Sequence, residues 1–165
     1  MRILMLGNSF TFTNNMPKML AELTEAEVVH HTRGGARLSE QLNPSTKLGS
    51  QTQAALQKEK WDYVVLQEMS HGPITAPKSF FSSVEQLCRQ IRANGAVPIL
   101  FATWAYQRGG AKLAAKGWDY DEMARALSDT QVLYAADGVH PSELGSHIAA
   151  ETIAAVIRQR EGAVQ

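Results

Sequence analysis

Met1-Arg2-Ile3-Leu4-Met5-Leu6-Gly7-Asn8-Ser9-Phe10-Thr11 is the stretch from which the rest of the chain can be read. Four consecutive apolar residues, Ile3 to Leu6, stop at a glycine, and small polar residues follow. An unbroken apolar run, rather than an alternating one, suits a strand buried on both faces. Gly7-Asn8-Ser9 suits a tight turn. The stretch thus predicts a central strand whose turn leads toward a helix. In that helix Met16, Met19, Leu20 and Leu23 mark one face, with Asn15 as N-cap and Pro17 tolerated in the first turn.

The alternation continues. Residues 28–31 read as a second, weaker strand stopped by Gly34-Gly35, and 48–60 as a helix. Residues 63–66 form a clear strand, 79–94 the most regular helix with Gly95 as its stop, and 97–101 a fourth strand. A moderate helix covers 119–127, and the last begins near Ser142 and runs through Ile148, Ile153, Val156 and Ile157. Residues 107–117, rich in Gly, Lys and Ala, read as a mobile loop near the site. Strands alternating with helices predict an α/β protein: a three-layer α/β/α arrangement with a flavodoxin-like parallel sheet of four to five strands. A length of 165 residues fits a single domain spanning the chain.

Composition narrows the function. Lys plus Arg and Asp plus Glu number 16 each, so the net charge is zero and a nucleic-acid partner is not expected. A hydrophobic fraction of 44% and a charged fraction of 19% suit a globular protein. No stretch is long enough to span a membrane. The first apolar run ends after four residues without a small-residue cleavage site, so a signal peptide is not read and a cytoplasmic location is expected. The single cysteine, Cys88, lies on a helical apolar pattern and reads as a core thiol. No spacing of His, Cys, Asp and Glu suggests a metal site, and no cofactor is expected.

Sheets of this kind carry their chemistry beyond the C-terminal strand ends. Gly7-Asn8-Ser9-Phe10-Thr11 would hold a serine hydroxyl out of the core beside backbone N–H donors, although an ordinary turn has the same composition. Asp137-Gly138-Val139-His140-Pro141-Ser142 lies before the last helix. A tight turn there brings the carboxylate to imidazole Nδ1 and leaves Nε2 for a nucleophile; a loop aspartate and a histidine at a helix start would read alike. Together the two blocks supply a nucleophile, a base and a group to orient the base.

These blocks, in this order at opposite ends of the chain, resemble the SGNH hydrolase superfamily. The resemblance implies that Ser9 is the nucleophile, His140 the general base and Asp137 its partner. It also implies an oxyanion hole built from the serine N–H, a glycine N–H after the second strand and an asparagine side chain after the third. The glycine block maps onto Arg33-Gly34-Gly35-Ala36, with Gly35 preferred as donor and Gly34 beside it. The third block departs from the pattern. Gly-x-Asn-Asp is absent, and Val65-Leu66-Gln67-Glu68-Met69-Ser70-His71 stands there, similar to a branch with Leu-Gln-Glu. Gln67 carries the same amide donor, so it reads either as the third oxyanion donor or as a strand-end amide that ties down a loop.

Members of the superfamily commonly place another strand before the Asp-His block. Residues 132–134 form only a short candidate, which leaves a reduced sheet or an omitted segment. His71, Trp104 and Tyr106 follow strands and, with Gly34, are expected in a substrate pocket; packing at the sheet edge would suit both aromatics as well. His30 and His31 alternate in direction, so one is expected in solvent. The implied activity is hydrolysis of small carboxylic esters, including acetylated carbohydrates, through an acyl-enzyme, with a small-molecule ester as partner. The rival reading is a flavodoxin-like module whose first loop binds phosphate, a nucleotide or a sugar without hydrolysis.

Overall fold

The computed structural model describes residues 1–126 and 143–163. Asp137, His140 and residues 132–134 lie outside the described residues. The first strand, β1 (Arg2–Gly7), is followed by a one-turn helix α1 (Ser9–Phe12), a short 3-10 turn and α2 (Met16–Thr24). Next come β2 (Glu27–Thr32), α3 (Leu38–Gln41), α4 (Lys47–Lys58) and β3 (Tyr63–Leu66). The chain continues through α5 (Gly72–Thr75), α6 (Pro77–Asn94), β4 (Val97–Leu100), α7 (Ala111–Lys116), α8 (Tyr120–Ala126) and α9 (Glu143–Gly162).

The four described strands form one parallel sheet in the order β2-β1-β3-β4. Met5 lies opposite His30 on one side and Val65 on the other, and Leu66 lies opposite Leu100. Period-two alternation in the central strands divides the core. Leu4, Leu6, Val64 and Leu66 face Leu56 of α4 and Leu87 and Ile91 of α6. Ile3, Met5, Tyr63 and Val65 face Leu20 of α2 and Ile153 and Ile157 of α9. The expected three-layer α/β/α fold is therefore present, and the unbroken apolar runs of β1 and β3 are buried on both faces.

Two local expectations need correction. Residues 107–117 are not simply a loop. They contain α7, whose Leu113 is buried with Trp104, Tyr106, Tyr120 and Met123, and Gly117 at φ +64° ends it. Asn15 precedes α2, but in a left-handed conformation (φ 58°) and without a side-chain capping bond. α6, in contrast, stops as expected at Gly95, whose φ of +95° favours glycine. His30 is exposed and His31 half-buried, in line with their alternation. Among the described residues, no helix is long and apolar enough to cross a membrane.

Candidate active site

β1 delivers the chain to the sheet's C-terminal edge, where Asn8 organises the turn. Its Oδ1 accepts from the Phe10 N–H at 3.2 Å, and its carbonyl accepts from Thr11 N–H at 2.9 Å and Phe12 N–H at 3.3 Å. None of these bonds draws on the Ser9 N–H. Asn8 Nδ2 donates to the Ala36 carbonyl at 3.0 Å and so fastens this turn to the glycine loop after β2. Ser9, the first residue of α1, is half-buried, whereas Asn8, Phe10 and Thr11 are buried. Ser9 is thus more accessible than its neighbours, whose side chains the turn keeps inside.

Gly34 and Gly35, both exposed, are not equivalent. Gly35 has φ +69°, which a side chain rarely adopts, while a Cβ on Gly34 would meet nothing within 4 Å. The preference for Gly35 as the special position in this loop has a backbone reason, independent of any role as a donor.

Gln67 lies one residue beyond β3 and is fully buried. Its Oε1 accepts from the Asn8 backbone N–H at 2.9 Å and from Thr11 Oγ1 at 3.0 Å, and its Nε2 donates to the Glu68 carbonyl. A backbone N–H can only donate, which settles the orientation of the amide. Tying down a loop, one of the two expectations for this residue, is therefore visible in the geometry. Its Nε2 carries a second hydrogen, for which no partner is seen among the described residues.

Glu68 does for the second loop what Gln67 does for the first. Its carboxylate accepts from Leu38 N–H at 3.1 Å and Met69 N–H at 2.8 Å. Burial pushes the carboxyl above its ordinary range; those two N–H groups and Arg37 oppose the rise.

The remaining predicted pocket residues gather beyond β3 and β4. Trp104 and Tyr106 are buried in the apolar cluster beneath α7 and α8, and Trp104 meets Phe10 of the turn after β1 at 5.5 Å between ring centroids. Tyr106 OH is shared between Ser70 Oγ at 3.3 Å and His71 Nδ1 at 3.2 Å. Trp118, which sequence reasoning passed over, lies 5.0 Å from the His71 ring and stacks with Tyr106 at 6.1 Å. Burial, then Arg37 and Lys116, pushes the His71 imidazole below its ordinary pKa. Asn8, Thr11 and Glu68 were also passed over. Their only sequence signal was adjacency to Ser9 and Gln67.

α9 reaches the site from the other end of the chain. Ser146 Oγ donates to the Thr13 carbonyl at 3.3 Å, and Asn14 Nδ2 donates to Ser146 Oγ at 3.2 Å. The first turns of the last helix are thus fastened to the residues just after Ser9. Among the described residues no group of three His, Cys, Asp or Glu could hold a metal ion.

A parallel flavodoxin-like sheet with a serine on its first strand-to-helix turn, beside a positive-φ glycine after the second strand, is the frame of a serine-hydrolase type of α/β protein. No protein-family model matches the chain, and none of the curated proteins does. Among solved structures, a candidate SGNH hydrolase from Slackia heliotrinireducens is 47% identical, with 95% of this chain and 98% of that one covered and a TM-score of 0.91. The chain belongs to the SGNH hydrolases. More distant structures share the fold. A candidate arylesterase from Agrobacterium tumefaciens is 18% identical over 96% of this chain and 98% of that one, with a TM-score of 0.69. A family two carbohydrate esterase from Clostridium thermocellum is 14% identical over 98% of this chain and 64% of that one, with a TM-score of 0.70.

Proposed function

We propose that this SGNH hydrolase cleaves small carboxylic esters, acetylated carbohydrates among them, through a Ser9 acyl-enzyme. Ser9 Oγ attacks the ester carbonyl as His140 takes its proton, and Asp137 orients the imidazole and stabilises its charged form. The oxyanion is received by the N–H groups of Ser9 and Gly35, with the remaining Gln67 amide hydrogen as third donor. His140 then protonates the departing alcohol. A water, deprotonated by His140, attacks the acyl-enzyme and releases the acid. Gly34, His71, Trp104 and Tyr106 flank the substrate, with His71 and Tyr106 OH as its polar contacts.

The fastening of Ser146 to Thr13 is the observation that carries this reading. It holds the start of α9, the helix that follows the Asp137–His140 block in sequence, against Thr13, four residues after Ser9. His140 is six residues from Ser146, a tether of at most about 20 Å when fully extended. The phosphate-binding alternative loses support from the same turn. Asn8 and Thr11, two of the polar side chains in that loop, are buried and bonded to protein.

Intact mass after exposure to an organophosphonate serine probe tests the proposal. One adduct mapping to Ser9, absent in Ser9→Ala along with turnover of 4-nitrophenyl acetate, is the expected result. A folded wild-type protein that takes no adduct would overturn it.

A further inference from the structure

We propose that Gln67 is a positioning residue, which acts through its amide oxygen to hold Ser9 in attacking position, with the Thr11 hydroxyl as its working partner. The inference rests on the Ser9 acyl-enzyme reading and extends it. An oxyanion donor contributes an N–H. Here it is the opposite end of the amide that is fixed, by two donors on either side of the nucleophile.

Asn8 N–H reaches Oε1 at 2.9 Å and Thr11 Oγ1 at 3.0 Å, and Ser9 and Phe10 are the two residues between them. One acceptor therefore clamps both ends of the one-turn helix that starts at Ser9. A single helical turn has no cooperative stability of its own, so tertiary bonds must keep it in place. Gln67 is itself held: its backbone N–H donates to the Leu6 carbonyl at 2.8 Å, and its Nε2 donates to the Glu68 carbonyl. The turn that aims Ser9 is thus referred to the two central strands.

Gly7 makes the arrangement possible. A Cβ there would collide with Thr11 Oγ1 and lie 2.6 Å from Gln67 Oε1. The clamp, the glycine and the nucleophile are one construction. Displacement of a nucleophile by a fraction of an ångström lowers the rate of attack more than it lowers substrate affinity.

The test uses Thr11, which lies outside the reacting groups. Thr11→Val keeps the shape and removes the hydroxyl that bonds Oε1; Thr11→Ser keeps the hydroxyl. The expected result for Thr11→Val is a fall in kcat of about 10- to 100-fold with KM little changed, and a matching fall in the rate of Ser9 phosphonylation. Thr11→Ser should recover most of both. Backbone hydrogen exchange at Asn8 provides a readout that needs no turnover: slow in the wild type and in Thr11→Ser, faster in Thr11→Val. A folded Thr11→Val protein with wild-type kcat and unchanged Asn8 exchange would overturn the proposal. Should the wild type hydrolyse no ester and take no phosphonate while Asn8 exchange still depends on Thr11, the clamp would stand and the esterase reading would fall.

Discussion

Gly7 is the residue on which the turn that carries Ser9 depends most directly. Its Cα lies beneath Thr11 and Gln67, so any side chain there must displace the buried amide that closes the turn. Gly7→Ala is expected to lower stability by about 1–3 kcal/mol, as overpacked buried positions do, read as a shift in urea midpoint at constant slope. An unshifted midpoint would mean that the turn has room the geometry does not show. At this scale the sequence was informative where a role is local. Ser9 stands out because a strand-to-helix turn holds its serine out of the core, and Gly35 because two glycines signal positive φ. Glu68 and Thr11 did not stand out. Their partners, Leu38 and Gln67, lie 30 and 56 residues away, and nothing in the local pattern names them. Gln67 was recognised as a strand-end amide, but whether its oxygen or its nitrogen meets Asn8 and Thr11 depends on what packs above it.

Elements are joined at the opposite edge of the sheet by Asn94, the last residue of α6. Its Nδ2 donates to the carbonyls of Leu56 and Glu59 at 2.8 and 2.7 Å, and its Oδ1 accepts from the Trp61 N–H at 3.3 Å. One buried side chain thus terminates α4, starts the approach to β3 and anchors α6. Asn94→Ala strands two carbonyls and an N–H away from water and is expected to cost about 1–3 kcal/mol, measured by equilibrium denaturation. A change within experimental error would show that water enters and replaces the amide. Long elements were legible from periodicity because their burial repeats with the helix or strand period. α7 was not. It is six residues long with one buried apolar residue, Leu113, packed with Trp104 and Tyr106, so no repeating burial pattern marks it.

For the molecule as a whole, two histidines link folding to pH. Burial lowers the His31 pKa; Glu59 opposes that shift and His30 adds to it. His71 is lowered by burial, then by Arg37 and Lys116. A histidine whose folded pKa is depressed contributes stability that is present above the ordinary imidazole value of about 6.5 and is lost as pH falls through the folded value. Melting temperature is therefore expected to drop between pH 7 and pH 5, and His31→Gln should make that drop shallower. A variant as acid-sensitive as the wild type would place the acid lability elsewhere. At this scale the order of strands and helices, the parallel sheet and the placement of Ser9, Gly35 and Gln67 beyond the C-terminal strand ends could be read from residue order, because hydrophobic periodicity and turn chemistry act between neighbours in the chain. Pairing β1 between β2 and β3 is what brings Gln67 under Asn8, a partner 59 residues away, and the fastening of Ser146 to Thr13 spans 133. Such bonds form only after the sheet has closed around a common core. Which polar atom meets which across the site was therefore a matter of packing geometry, not of local sequence.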